Sequence, residues 1–351
     1  MNWVADSDPI VWFALWCGIG ALGLTALLVI RILLLRAAFQ ARETRETRFL
    51  SRWRPRLLAA IDTVPVRLPR LKRRDWLPFL SLWNHFQESL RGAARHRLSA
   101  MALRMRMDLA ARQLLQRGSP PEQLMGMLTL GHLGDRDSWD RIEAVARGPH
   151  SQLSLAAARA LLLIDAASAL RALLPLMASR ADWPLSRTQW MLNEAGAEIT
   201  STMLSAALED VPPDDWPRLV ALMDAGHPDV VSPVIGRLLA GVQSEEVLIA
   251  CLKSRHLPFN GARLLRLLEH PAWQVRAQAA RVTGRMGHAE FVSALLTRLS
   301  DPVWWVRYRA AQSLVQLPSM SPEALWRARQ TLNDRFGCEM LDQAVAERRG
   351  Q

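Results

Sequence analysis

Lysine, tyrosine and cysteine are nearly missing from this sequence. Lys72 and Lys253 are the two lysines among 44 basic residues, so the positive charge is carried by arginine. Cys17, Cys251 and Cys338 share no close spacing, and Cys17 lies in an apolar run; this excludes a disulfide framework and a cysteine metal knuckle. None of the eight histidines is followed by Glu and none forms HExxH, which removes the zincin arrangement. GxxxxGK[ST] and GxSxG are also missing, so neither a P-loop phosphate cradle nor a hydrolase nucleophile elbow is supported. No run of alternating β-branched residues separated by hairpin turns occurs, so strands are not expected. With half of the 351 residues hydrophobic, 22% charged and a mean hydropathy of +0.01, wholesale disorder is excluded.

Charge is missing locally as well. Residues 10–30, IVWFALWCGIGALGLTALLVI, carry none over 21 positions, about 31 Å of helix and the thickness of a bilayer hydrocarbon core. The apolar run resumes after Arg31, whose guanidinium can snorkel to the interface. Trp3, Trp12 and Trp16 form an aromatic belt at one end. The flank before the run is acidic and no small-x-small site follows before Arg36, which argues against a cleaved signal peptide. The net charge of +11 divides unevenly: −2 over residues 1–30, +14 over 31–117 and −1 over 118–351. By the positive-inside rule residues 1–9 lie outside, 10–35 form a transmembrane helix, and the rest is cytoplasmic at the inner membrane. A nucleic-acid protein would spread positive charge over its folded body, which here is neutral, so no nucleic acid is expected.

Residues 36–75 read as a basic juxtamembrane helix and linker. Over 37–62, Glu43 and Glu46 sit among Arg42, Arg45 and Arg48 at helical pairing distance, and Pro55 is expected to kink or end the helix. Arg67, Arg70, Lys72, Arg73 and Arg74 then form a cluster placed near anionic lipid headgroups. Residues 76–117, beginning WLPFLSLWNHF, read as capping helices, with an interfacial helix as the other option.

Residues 118–345 repeat. PAWQVRAQAARVTGRMG at 271–287 and PVWWVRYRAAQSLVQLP at 302–318 align with an offset of 31, matching Pro271 with Pro302, Val275-Arg276 with Val306-Arg307, and Ala279-Ala280 with Ala310-Ala311. A further copy begins at Pro149, and Gly131-His132-Leu133-Gly134 answers Gly284-Arg285-Met286-Gly287. Apolar spacing within each copy is helical, so each unit is a helical hairpin that buries its face only by stacking on neighbours. The fold class is all-α: an α-solenoid of hairpins preceded by a single transmembrane helix. Between 180 and 260 the pattern degenerates, with helices expected near 187–208, 216–224, 230–240 and 244–253.

The proline, the Val-Arg pair and the paired alanines resemble HEAT repeats, in particular the short bacterial type also found in phycobilin lyases. That resemblance implies that Arg276 and Arg307 are structural and pair with an acid of an adjacent repeat, Asp301 being the partner expected. It also implies a docking scaffold for another protein, membrane-associated here, such as an envelope or polysaccharide assembly. The iron-binding His-Glu pairs of HEAT-like deoxyhypusine hydroxylases are absent. Neither an enzyme nor a cofactor or small-molecule substrate is expected; bilin-lyase-like chemistry is the enzymatic alternative. Nucleic-acid or anionic-lipid binding through 31–117, with Arg91, Arg95, Arg97, Arg104 and Arg106, is the other. His227 and His270, each before a proline at an expected turn, are read as helix-start or solvated residues and not as metal ligands. Trp273, Trp304 and Trp305 fall just before the Val-Arg helices on one edge of the stack and are the candidate protein-interaction edge.

Overall fold

A computed structural model describes residues 9–64, 68–241 and 244–349, and every regular element among them is helical. The chain divides into two compact units, residues 1–133 and 134–351; the division falls inside the first repeat copy expected from the sequence.

The first unit holds α1 (Pro9–Asp62), α2 (Trp76–Ser89), α3 (Ala93–Arg104), α4 (Met107–Arg117) and α5 (Pro120–Leu133). Helix α1 continues for 54 residues, about 81 Å. Its segment Trp16–Ala37 is long and apolar enough to cross a membrane, and its side chains are exposed. The expectation that Pro55 ends the helix is not met. The missing Pro N–H leaves one carbonyl, on exposed Ser51, for water to satisfy. On either side Trp53, Leu57 and Ala60 are buried where α1 packs on α2 and α3. Burying large apolar side chains contributes about 1.5–3 kcal/mol each, enough to offset the roughly 3 kcal/mol that an interior proline costs. Trp53 meets Phe79 edge-on at 5.0 Å, and Trp83 of α2 donates its indole N–H to the Leu98 carbonyl at 3.0 Å. Helix α2 buries Phe79, Leu80 and Trp83 in this unit.

The second unit runs α6 (Trp139–Ala146), α7 (Ser151–Ile164), α8 (Ala166–Ser179), α9 (Leu185–Ala195), α10 (Ala197–Asp210), α11 (Trp216–Leu222), α12 (Pro228–Ala240), α13 (Glu245–Lys253), α14 (Gly261–Leu268), α15 (Trp273–Met286), α16 (Val292–Arg298), α17 (Trp304–Gln316), α18 (Pro322–Thr331) and α19 (Arg335–Arg349). The helix expected over 187–208 is two helices: Gly196, at φ +107°, breaks it in a conformation side chains rarely adopt. Hairpins α12–α13, α14–α15 and α16–α17 stack so that α11, α13, α15, α17 and α19 pack successively in one layer. The paired alanines explain the close layer: Ala279, Ala280, Ala310 and Ala311 are all fully buried. Gly134 and Gly287, matched in the repeat alignment, both adopt the left-handed conformation, at φ +68° and +77°.

Candidate functional site

Helix α15 brings Arg276 from the repeat's Val-Arg pair into the turn below α16. Its guanidinium donates from Nε to Asp301 Oδ2 at 2.8 Å and from Nη2 to Oδ1 at 2.9 Å, while Nη1 donates to the carbonyls of His270 and Pro271 at 2.9 and 2.7 Å. Asp301 is 3% exposed and also accepts the Val303 N–H at 3.0 Å. Burial pushes its pKa up, but the Arg276 hydrogen bonds, the Val303 amide and the charges of Arg276 and Arg298 prevail and hold it below the ordinary carboxylate value. The fork-to-fork geometry makes Arg276 a structural residue of the stack.

Arg307 occupies the same repeat position but pairs with no acid among the described residues. Its Nη1 donates to the carbonyls of Asp301 and Pro302 at 2.7 and 3.2 Å, reproducing the local half of the Arg276 pattern. The Phe336 ring lies 5.4 Å from its guanidinium carbon, and its Nε is buried without a hydrogen-bond partner among the described residues. One repeat on from Asp301 the sequence reads Leu332-Asn333-Asp334, and Asp334 Oδ1 instead accepts the Phe336 N–H at 3.1 Å.

Trp273 and Trp304 are the first residues of α15 and α17, so the candidate edge lies in the first helical turn and not before it. Trp273, Trp304 and Trp305 are 37%, 40% and 50% exposed. Trp304 meets Trp305 edge-on at 4.7 Å and stacks on Tyr308 at 5.0 Å. Tyr308, which sequence reasoning passed over, ties this cluster to α19: its hydroxyl donates to Glu347 Oε2 at 3.3 Å and accepts the Gln312 amide at 2.7 Å. Partial burial first, and then Glu347, raise the phenol pKa. The rings pack on one another and leave broad exposed faces, which suits a protein contact.

The basic cluster is only partly described: Arg67 lies outside the described residues, as do residues 1–8 with Trp3 and the side chains of Arg42, Glu43, Arg45 and Glu46. Arg73, in a short 3₁₀ turn with Arg74 and Asp75, lines a cleft with Phe49 of α1. Phe49 stands twelve residues past Ala37, about 18 Å along the helix, whereas a headgroup layer is about 5–8 Å deep. Of the arginines in and beside α3, Arg95 hydrogen-bonds His132 Nδ1 at 3.1 Å and Arg97 donates to the Ile61 carbonyl at 2.6 Å.

Several arginines that sequence reasoning missed bridge the turns of the degenerate stretch. Arg180 donates to the Gly148 carbonyl at 2.6 Å and grips Asp182, drawing that carboxyl down to about 2. Arg218 donates to the carbonyls of Met177 and Trp183 at 2.7 and 2.5 Å. An Arg-x-Asp string between two helical runs was the available signal for Arg180; Arg218 had none. His227 and His270 stand at helix starts, accepting the Asp229 and Ala272 N–H groups at 3.4 and 3.1 Å. Cys251 is buried, which pushes its thiol up to about 12. Gly18-Ile19-Gly20-Ala21-Leu22-Gly23 has the GxGxxG spacing, but it lies inside α1 with no strand before it and makes no phosphate cradle.

No curated protein matches the chain. Residues 261–336, spanning α14 to the start of α19 and containing both Val-Arg pairs, match the family model described as HEAT repeats. Over this stretch the chain is similar to HEAT repeats, modules that generally mediate protein–protein interaction, and its stacked helical hairpins agree with that likeness.

Proposed function

We propose that this protein is a single-pass inner-membrane scaffold: Trp16–Ala37 crosses the bilayer, and a cytoplasmic stack of HEAT repeats docks another, membrane-associated protein without catalysing a reaction. The observation that carries the reading is the exposed Trp304–Trp305 pair beside Tyr308 and Arg309, at the first turn of a helix fixed in a packed repeat layer. Rigid aromatic faces on a fixed element lose little conformational entropy on binding, which favours them as contact anchors. The repeats offer extended surface, which suits binding more than turnover. Membrane apposition is assigned to Arg31 and Arg36 at the C-terminal end of the span and to the arginines that follow it, because Arg73 and Arg74 lie beside Phe49, further along α1.

Proximity labelling from the C-terminus in intact cells, comparing the wild-type chain with Trp305→Ala, tests the docking edge. Loss of one or a few labelled membrane proteins is expected. An unchanged labelled set would sink the tryptophan edge, and recovery of the chain free in the soluble fraction would remove the anchor.

A further inference from the structure

A second surface of the repeat unit has a definite chemistry. A groove of about 710 Å³ crosses the faces of α9, α11 and α13, three neighbouring helices. Its floor is apolar, with Leu185 from α9, Pro217 and Ala221 from α11, and Ile249 from α13. Neighbouring helices lie about 8–10 Å apart, so the groove is about 20 Å long and fits a length of polypeptide.

Its rim is acidic. Asp214 and Asp215 precede α11, and Glu246 lies in the first turn of α13. Among the described residues none of the three carboxylates is held in an ion pair, unlike Asp182 and Asp301. Two cations line the groove, Lys253 and Arg218, whose guanidinium is held by the Met177 and Trp183 carbonyls; the lining acids Asp214, Asp215, Asp224 and Glu246 outnumber them. Residues 118–351 carry a net charge of −1, so the repeat unit does not repel a cationic ligand and the acidic rim attracts it locally.

We propose that this groove binds a short segment of a partner protein that alternates lysine or arginine with large aliphatic residues, the aliphatics on the Ile249 floor and the cations against Asp214, Asp215 and Glu246. This rests on the docking reading above and adds the chemistry of the docked segment.

The test uses the full chain in detergent micelles and fluorescence anisotropy of a labelled sixteen-residue probe peptide built from Leu, Ala and Lys. Micelle binding is common to all variants, so the comparison isolates the groove. The isosteric surface variant D214N/D215N/E246Q is expected to weaken binding about tenfold at moderate salt, and Ile249→Lys to weaken it at least as much with unchanged helical circular dichroism. Wild-type affinity in the triple variant would overturn the proposal. So would equal binding of a Leu-free Lys/Ser/Gly peptide, which would show bare electrostatics, or of the peptide with Glu for Lys. Trp305→Ala is expected to leave the peptide affinity unchanged, so a negative peptide result leaves the tryptophan edge standing.

Discussion

Arg276 and Asp301 meet through two parallel N–H···O bonds of 2.8 and 2.9 Å, while Arg307, one repeat later, reaches only the backbone carbonyl of the same aspartate. One acid therefore serves two repeats in different ways: its carboxylate holds α15 and its backbone carbonyl holds α17.

Removing Asp301 strands a buried guanidinium. Asp301→Ala is expected to destabilise the repeat unit by about 3–5 kcal/mol, measured by urea unfolding, and Arg276→Lys to recover little because a point ammonium cannot make the fork. Arg307→Met should cost clearly less, since no carboxylate is left unpaired. Equal losses for Asp301→Ala and Arg307→Met would contradict the difference between the two sites.

Acid should weaken the fold through carboxylates held low in the native state. Arg180 draws Asp182 down to about 2 from an ordinary 3.8, and Asp301 is also lowered. The unfolded chain takes up these protons first, so the stabilisation is fully present above the unfolded pKa and disappears as pH falls through the folded values, between about 4 and 2. Asp182→Asn is expected to flatten this acid limb in a pH series of urea midpoints; an unchanged slope would count against the Arg180 grip.

Gly284 of α15 faces Ser313 of α17 so closely that an added Cβ would sit 2.5 Å from the serine Cβ and 2.7 Å from its Cα. Gly284→Ala should therefore wedge the two helices apart and cost about 1–3 kcal/mol, against a gain expected for alanine in an exposed helix. A neutral or raised melting temperature would show that the layer yields.

Cys251 should be inert in the native protein. At a thiol pKa near 12 the reactive thiolate is scarce at pH 8, and the side chain is buried. Iodoacetamide mapping by mass spectrometry is expected to find half-buried Cys338 modified before Cys251, which should react only in urea. Rapid native labelling of Cys251 would mean that α13 opens.

The continuity of α1 predicts a standoff. In reconstituted vesicles a dye on Gln40, three residues past the span, should be quenched by headgroup-level spin labels, while one on Arg74, beside Phe49, should not. Equal quenching would bring the 70–74 cluster back to the headgroups.

Local chemistry alone determined much of this protein. An uncharged run of 21 residues specifies an apolar helix because its length and polarity need no partner to be read, and the 31-residue recurrence of Pro, Val-Arg and paired alanines specifies hairpins because the helical period is a near-neighbour property. His227 and His270 were legible as helix starts for the same reason. Tertiary structure decided what depends on residues far apart in the chain. Burial of Trp53 and Leu57 against α2 and α3 carries α1 through Pro55; whether an acid lies within reach distinguishes Arg276 from Arg307; and Tyr308, which stacks on Trp304 one turn along the same helix, reaches Glu347 only because α19 packs on α17. Identical local strings meet different neighbours, and burial, charge pairing and exposure are properties of those neighbours.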